Sequence, residues 1–385
     1  MKKSINHQYM RSTNKRLILD FIRKKEPITK KELADQLGIS VTSVATFITE
    51  LMEEGLISSS GNADSSGGRK SELYRLNPDS LYVFGIDIQI DRLIITLINL
   101  SGDIVKAAEI KLDQNNEWFV ASLITKSLNQ ICETVNLPFS KIAGIGIGVP
   151  GIVNHHTGII EFAPNLGWKN VNLTSLLPVE VPIIVENEAK AAAVGELNFG
   201  IAKAKTNLIY VSIGSGIGTG LILNGSLYYG HNFLAGEFGH MTIAPQGLPC
   251  RCGKEGCWEV YASNDAAMKL YQKKSGIKLQ SFDELLEAFY RKNPDAIEVI
   301  GRIVHFLGLG IANLINGLNP EVVVIGGKIA EAESLINYRL LKEIKDHCFE
   351  YSYRGIELLF SRLKNQATAL GAANLMIDGL LANLK

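Results

Sequence analysis

From Tyr82 onward the chain keeps returning to one unit, a short apolar strand that runs into glycine and is followed by a helical stretch. The strands read as Tyr82–Ile88 and Leu208–Ile213, with others at residues 142–148, 181–186 and 322–326. Parallel strands need long crossovers, and a helix is the usual solution, so this alternation specifies α/β layers. Residues 93–100, the turn Ser101-Gly102-Asp103 and residues 104–112 add a hairpin after the first strand. The strand, hairpin and helix order opens near Tyr82 and again near Leu208, which predicts two related lobes around a cleft. In such sheets ligands lie at the carboxyl ends of the strands.

The first 79 residues have a different character, and Pro78-Asp79 reads as the start of a linker. From Asn14, Leu17, Ile18, Phe21 and Ile22 recur at helical spacing until Pro27 ends the run. Thr29 and Glu32 have the spacing of a capping box for a second helix, and Gly38 stops it. Ser40 caps a third helix, from residue 41 to about 54, with Val44, Phe47, Ile48 and Leu51 as its buried stripe. Helix, tight turn, helix is the helix-turn-helix pattern. Thr42, Ser43 and Thr46 lie near the start of the third helix and off the stripe, where base edges are met. A polar glycine- and serine-rich run then leads to the strand-like Glu72–Leu76, a two-stranded wing with Arg69 and Lys70 placed for phosphate or a minor groove.

Charge agrees with this division. The whole chain balances 39 basic against 39 acidic residues, yet residues 1–31 hold 10 basic and 2 acidic ones. A basic head on a slightly acidic body suits a DNA contact, because phosphate attraction supplies much of the affinity. Three-helix units also serve as plain structural modules. Charge, wing and helix order together favour the DNA reading.

At 385 residues and 46% hydrophobic composition the chain can bury more than one core. Its longest uninterrupted apolar runs, near residues 142–150 and 322–327, are too short to span a bilayer. No apolar stretch follows the basic N-terminus, so the expected location is the cytoplasm. Cys250, Cys252 and Cys257 fall within eight positions, and in a reducing compartment that clustering argues for metal. With His240 they supply one imidazole and three thiolates, a closed tetrahedral set for structural zinc. Gly253 and Gly256 permit the tight loop. Arg251, Lys254 and Glu255 among the ligands argue against a merely packed reduced core.

Several segments carry a family resemblance: Gly146-Ile147-Gly148-Val149-Pro150-Gly151, Glu186-Asn187-Glu188-Ala189, Gly236-Glu237-Phe238-Gly239-His240 and the Cys-x-Cys-Gly-x-x-Gly-Cys-x-Glu run. They resemble the ROK family of repressors, open reading frames and kinases. With a winged helix in front, the chain resembles its repressor branch, and Asn187-Glu188 and Cys257-Trp258-Glu259 resemble the xylose repressors of Gram-positive bacteria. The resemblance implies an N-terminal winged helix-turn-helix followed by a two-lobed actin-like, sugar-kinase-like fold. It implies a sugar site of Asn165, Asn187, Glu188, Glu237, His240 and Glu259. The expected units are residues 1–79, a first lobe of 80–186 completed by a helix at about 366–385, and a second lobe of 187–365.

Kinases of this family carry Asp-x-Gly-Gly-Thr after the first strand, a hairpin whose amides cradle phosphate. Here the segment is Asp87-Ile88-Gln89-Ile90-Asp91-Arg92, with Gln89 and Ile90 in place of both glycines. Glu188 stands where those kinases have their catalytic Asp. Both departures point to a binder with no catalytic residue. The expected function is a repressor, most simply a homodimer or higher oligomer on palindromic double-stranded operator DNA, released by a small pentose or hexose. A sugar kinase with a regulatory head is the alternative, because the glycine-rich run from Gly214 to Gly220 persists. A ligand-free DNA-bound structural protein is disfavoured by the carboxylates around the metal set.

Overall fold

The computed structural model describes residues 7–63 and 70–382. The head comprises α1 (His7–Lys25), β1 (Ile28–Thr29), α2 (Lys30–Leu37), α3 (Val41–Glu53), β2 (Ile57–Asn62) and β3 (Glu72–Leu76). Its local signals act as the residue types require. The Thr29 hydroxyl accepts from the Glu32 amide at 3.2 Å, and the Glu32 carboxylate accepts from the Thr29 amide at 2.8 Å. Gly38 ends α2 at φ 65°, and Ser40 caps α3 by accepting from the Ser43 amide at 3.1 Å. Two expectations change. Helix α1 starts before Asn14, and its buried stripe is Ile18, Leu19 and Ile22, with Leu17 45% exposed. The wing has three strands in the order β1-β3-β2, because the two residues before α2 pair with β3.

The body follows as β4 (Tyr82–Ile88), β5 (Arg92–Asn99), β6 (Ile104–Lys111), α4 (Glu117–Thr134), β7 (Ile142–Val149), β8 (Ile152–Val153), β9 (Ile160–Ala163), β10 (Trp168–Val171), β11 (Ile183–Asn187) and α5 (Glu188–Asn198). It continues as β12 (Leu208–Ile213), β13 (Ile217–Leu223), β14 (Ser226–Leu227), α6 (Glu259–Ala262), α7 (Asn264–Ser275), α8 (Phe282–Tyr290), α9 (Pro294–Leu318), β15 (Val322–Gly327), α10 (Glu333–His347), α11 (Glu350–Tyr353), β16 (Glu357–Phe360) and α12 (Ala367–Ala382). One five-stranded sheet runs β11-β7-β4-β5-β6 and the other β16-β15-β12-β13-β14. In each, three parallel strands continue into an antiparallel hairpin, so the internal repeat read from the sequence is a repeat of topology.

By length and composition α9 is able to cross a membrane, which the search for uninterrupted apolar runs overlooked. Glu298, Arg302 and His305 interrupt it. Its apolar face, including Val299, Ile303, Leu307 and Ile311, forms the centre of the second lobe's core.

The expected linker is a fixed joint. Residues Pro78–Ser80 form a single 3₁₀ turn, the Asn77 amide donates to Leu56 O at 2.9 Å, and the Leu100 amide donates to Pro78 O at 3.1 Å. Ile18, Leu19 and Ile22 of the head share one apolar cluster with Val83, Ile98, Leu370, Met376 and Ile377 of the body. Across that joint Arg23 Nη2 donates to Asn374 Oδ1 at 2.7 Å, and its other terminal nitrogen lies 3.6 Å from Asp378. Burial pulls the Arg23 guanidinium below its ordinary range, opposed by Asp378 and Asp20. Arg23→Ala leaves the nearly inaccessible Asn374 amide without its donor. Removing one member of a buried polar pair costs about 1–3 kcal/mol, so the expected result is faster proteolysis between head and body. A double-mutant cycle with Asn374→Ala checks it, and additive losses would show that this hydrogen bond adds nothing to the apolar contact.

Candidate functional site

The two sheets face a cleft of about 1380 Å³, whose walls include Asp87, Gln89, Asn165, Glu188, Glu237 and Glu259. That exceeds the roughly 300–1,000 Å³ of ordinary ligand pockets, so the cleft has room beyond one monosaccharide.

The metal set lies on the second-lobe wall. His240 ends a short 3₁₀ turn (Phe238–His240), and Gly253 and Gly256 take φ 88° and 75° to fold the cysteine loop back on itself. The Thr242↔Cys257 and Pro249↔Glu255 bridges hold that loop. Trp258 anchors it, fully buried with its indole N–H donating to Phe306 O at 2.8 Å. His240, Cys250, Cys252 and Cys257 offer ligand atoms that all lie within 4.8 Å of one another. Cys252 Sγ and Cys257 Sγ are 3.6 Å apart, and Cys250 Sγ and His240 Nδ1 are 3.7 Å apart. A tetrahedron with metal–sulfur bonds of about 2.3 Å has edges of roughly 3.8 Å. The four donors therefore fit such an ion.

Two carboxylates flank this set, and two more lie deeper in the cleft. Glu259 Oε1 accepts from Cys250 Sγ at 3.0 Å and lies 3.6 Å from His240 Nδ1. Glu237 Oε2 lies 4.0 Å from His240 Nε2, so the two imidazole nitrogens face opposite partners. Burial raises the Glu237 carboxyl, while His240 and Lys190 oppose the rise. Glu188, at the start of α5, is pushed up to about 8, first by burial and further by Asp87 and Glu237. Asp87, at the end of β4, is pushed up to about 7 by burial, against the hydrogen bond from Gln89 Nε2 at 2.7 Å.

The remaining expected contacts are more constrained. Asn165 bridges the lobes, its amide donating to Ser215 Oγ at 3.1 Å and its oxygen accepting from Arg251 at 2.9 Å. Asn187 lines the cleft but caps α5: Oδ1 accepts from the Ala189 and Lys190 amides, and Nδ2 donates to Gly151 O and Glu188 Oε2. Both lone pairs and both hydrogens are thus engaged, and Asn187 acts here by orienting Glu188. Arg251 and Lys190, absent from the sequence reading as site residues, also line the cleft.

On the head, Thr42, Ser43 and Thr46 are all exposed on α3, and Lys70 is exposed just before β3. Arg69 lies outside the described residues. Part of the basic charge is already paired: Arg11 with Glu50, Lys15 with Glu54, Arg16 with Asp20 and Arg23 with Asp378.

A winged head joined to a duplicated α/β body, with a cleft lined by carboxylates and a set of one histidine and three cysteines, is the architecture of a DNA-binding protein built on a sugar-kinase-like frame. Residues 83–379 match the ROK family and residues 11–58 match a winged helix-turn-helix DNA-binding domain; the chain belongs to the ROK family. It is 33% identical to the xylose repressor of Bacillus subtilis over 376 residues, 97% of each chain. It is 33% identical to the glucokinase of Halalkalibacterium halodurans over 314 residues, 76% of this chain and 94% of that one. Among solved structures it superposes on a ROK family transcriptional regulator, a homologue of the Escherichia coli Mlc protein, with a TM-score of 0.83 and 27% identity over 97% of this chain and 98% of that one.

The raised carboxyls set a pH dependence. Asp87 and Glu188 keep protons in the folded state that the unfolded chain releases near pH 4. Their contribution to stability is complete below that pH and is lost as pH rises through about 7 and 8. The melting temperature is therefore expected to fall between about pH 4 and 8 and then level off, and Glu188→Gln to flatten the fall. Equal slopes for the two proteins would count against a buried neutral Glu188.

Proposed function

We propose that this protein is a sugar-responsive transcriptional repressor that holds operator DNA through its winged head and releases it when a small sugar occupies the cleft. The observation that carries this reading is similarity to a repressor over the whole chain, head included, where the glucokinase similarity covers only 76% of it. Xylose is the first inducer to test, with other pentoses and hexoses beside it. The protein would work in the cytoplasm as a homodimer or larger assembly, placing two heads on a palindromic site. Functional units at 1–79, 80–186 with the C-terminal helix, and 187–365 suit this division of labour.

In this reading the metal is zinc, held by His240, Cys250, Cys252 and Cys257. When bound it supplies rigidity beside the site, its charge offset by the three thiolates. Glu259, two residues past Cys257, and Glu237, three before His240, accept sugar hydroxyls on backbones the metal loop fixes. Glu188, held by Asn187, faces them from the start of α5, and Asn165 closes the mouth. On the head, Thr42, Ser43 and Thr46 meet base edges, while Lys70 and Arg69 meet phosphate or the minor groove. Sugar acts as inducer only by the difference between its affinities for the free and DNA-bound conformations.

Catalysis is not part of the proposal. The Gln89 amide occupies the turn where phosphate would need bare backbone, and it caps the Asp87 carboxyl. Glu188 is one methylene longer than the Asp of the kinases, and displacements near 1 Å can cost about a hundredfold in rate. A coupled ADP-release assay with a sugar panel tests the kinase alternative.

Three outcomes check the rest. Cys252→Ser is expected to lower both zinc content and stability, since the loop has little core apart from Trp258; metal analysis finding no zinc in protein purified without chelator would overturn it. Thr46→Ala is expected to change base preference at one operator position by about 1–3 kcal/mol, with little change in the salt dependence. Glu259→Gln is expected to bind operator normally and respond to sugar at least tenfold more weakly, because it replaces a charged acceptor with a neutral amide. Gel-shift titrations decide it, and an unshifted inducer midpoint in a stable mutant removes Glu259 from the site.

A further inference from the structure

Lys190 sits where a lysine is doubly disfavoured. It is the third residue of α5, in the turn whose backbone amides already present positive charge, and cations belong at the other end of a helix. It is also only 5% exposed, and burying an ammonium is costly without strong compensation. The protein supplies little of that compensation. Nζ donates to the Phe233 carbonyl at 2.5 Å, and it lies 5.7 Å from the centre of the Tyr229 ring. Among the described residues no carboxylate forms an ion pair with it. An ammonium has three hydrogens to donate, and one is placed.

Its surroundings say where the others are needed. Lys190 lines the same cleft as Glu237, Gly236 and Thr219. Its one hydrogen-bond acceptor belongs to the turn that leads into Gly236-Glu237. That turn is closed by the Ala235 amide donating to Tyr229 O at 2.9 Å, with Phe233 held at φ 63°. Ammonium and carboxylate therefore approach one region of the cleft, from the start of α5 and from the turn after β14. A hydroxyl placed between them donates to Glu237, while an oxygen of the same ligand accepts from Lys190. Glu188 and Glu259 line the same cleft as Glu237, and an uncharged sugar offers hydroxyls that donate to carboxylates and oxygens that accept from an ammonium.

Taking the cleft as a sugar site, we propose that Lys190 is a further sugar-binding residue, donating to an oxygen next to the hydroxyl that Glu237 accepts, so that the ligand is an uncharged sugar held by a cation–carboxylate pair. The alternative role is structural: Lys190 merely ties down the Phe233 carbonyl.

Calorimetry on the full chain separates the two, using the tightest-binding neutral sugar of a pentose and hexose panel and its monodeoxy analogues. Lys190→Met is expected to weaken the parent sugar about ten- to a hundredfold, with operator binding in the absence of sugar unchanged. One monodeoxy analogue, lacking the oxygen that accepts from Lys190, should bind wild type and Lys190→Met equally. Lys190→Gln, which can still donate to Phe233, should keep the wild-type melting temperature and lose sugar affinity, and it decides the matter if the methionine variant fails to fold. Unchanged sugar affinity in a folded variant overturns the proposal. So does an equal loss for the parent and every analogue, the pattern of a loosened turn. Wild type that binds no sugar of the panel overturns the sugar-site reading itself, and this proposal with it.

Discussion

Helix α12 is buried along nearly its whole length, and three parts of the protein depend on how closely it lies against them. It rests on β4 and β7 of the first sheet and along α5, and its outer end meets the head. The approach is close enough that a side chain at Gly146 would collide with the Ala372 carbonyl, and one at Gly371 with the Ala191 carbonyl. Contacts of backbone on backbone leave no soft layer to absorb a displacement. Thr368 Oγ1 donates to the Glu188 carbonyl at 3.3 Å at one end of the helix, and Asn374 accepts from Arg23 nearer the other. The cleft carboxyl and the DNA-reading unit are thus fastened to one rigid element.

The opposite wall has a different kind of rigidity. The cysteine loop has no sheet of its own and is pinned by Trp258 against α9 and by the geometry of four ligand atoms. Glu237 and Glu259 stand on either side of the His240 imidazole, close to that loop. Asn165 and Arg251 bridge the two walls.

Features whose cause is local were legible in the sequence. The capping box at Thr29 and Glu32, the αL glycine at position 38 and the Ser40 cap each depend on residues within four positions. The repeated strand and hairpin were visible because each strand is a continuous apolar run buried on both faces. The set of His240 with the three clustered cysteines was legible because few other arrangements suit three thiols among charged neighbours. What escaped depends on distant partners. Arg23 and Asn374 lie 351 positions apart, so the joint between head and body read as a linker. The stripe of α1 includes Leu19 and omits Leu17 because the body, together with the other head helices, determines which face is covered. Basic residues counted toward DNA are partly engaged by Glu50, Glu54, Asp20 and Asp378. Asn187 carried the right neighbourhood and a different task, since an Asn at a helix start is first of all a cap.

The attachment of the head to α12 also bears on the order in which the chain is made. A ribosome releases the head long before α12. The surface that seats this unit is not complete until residues 367–382 have emerged, after some 290 intervening positions. A chain cut short by a nonsense codon or a protease would still carry a DNA-reading unit, now unmoored from the cleft that governs it. Such fragments would bind without answering to the ligand, and the burial of Leu370, Met376 and Ile377 against the head makes completion of the chain a condition for obedience.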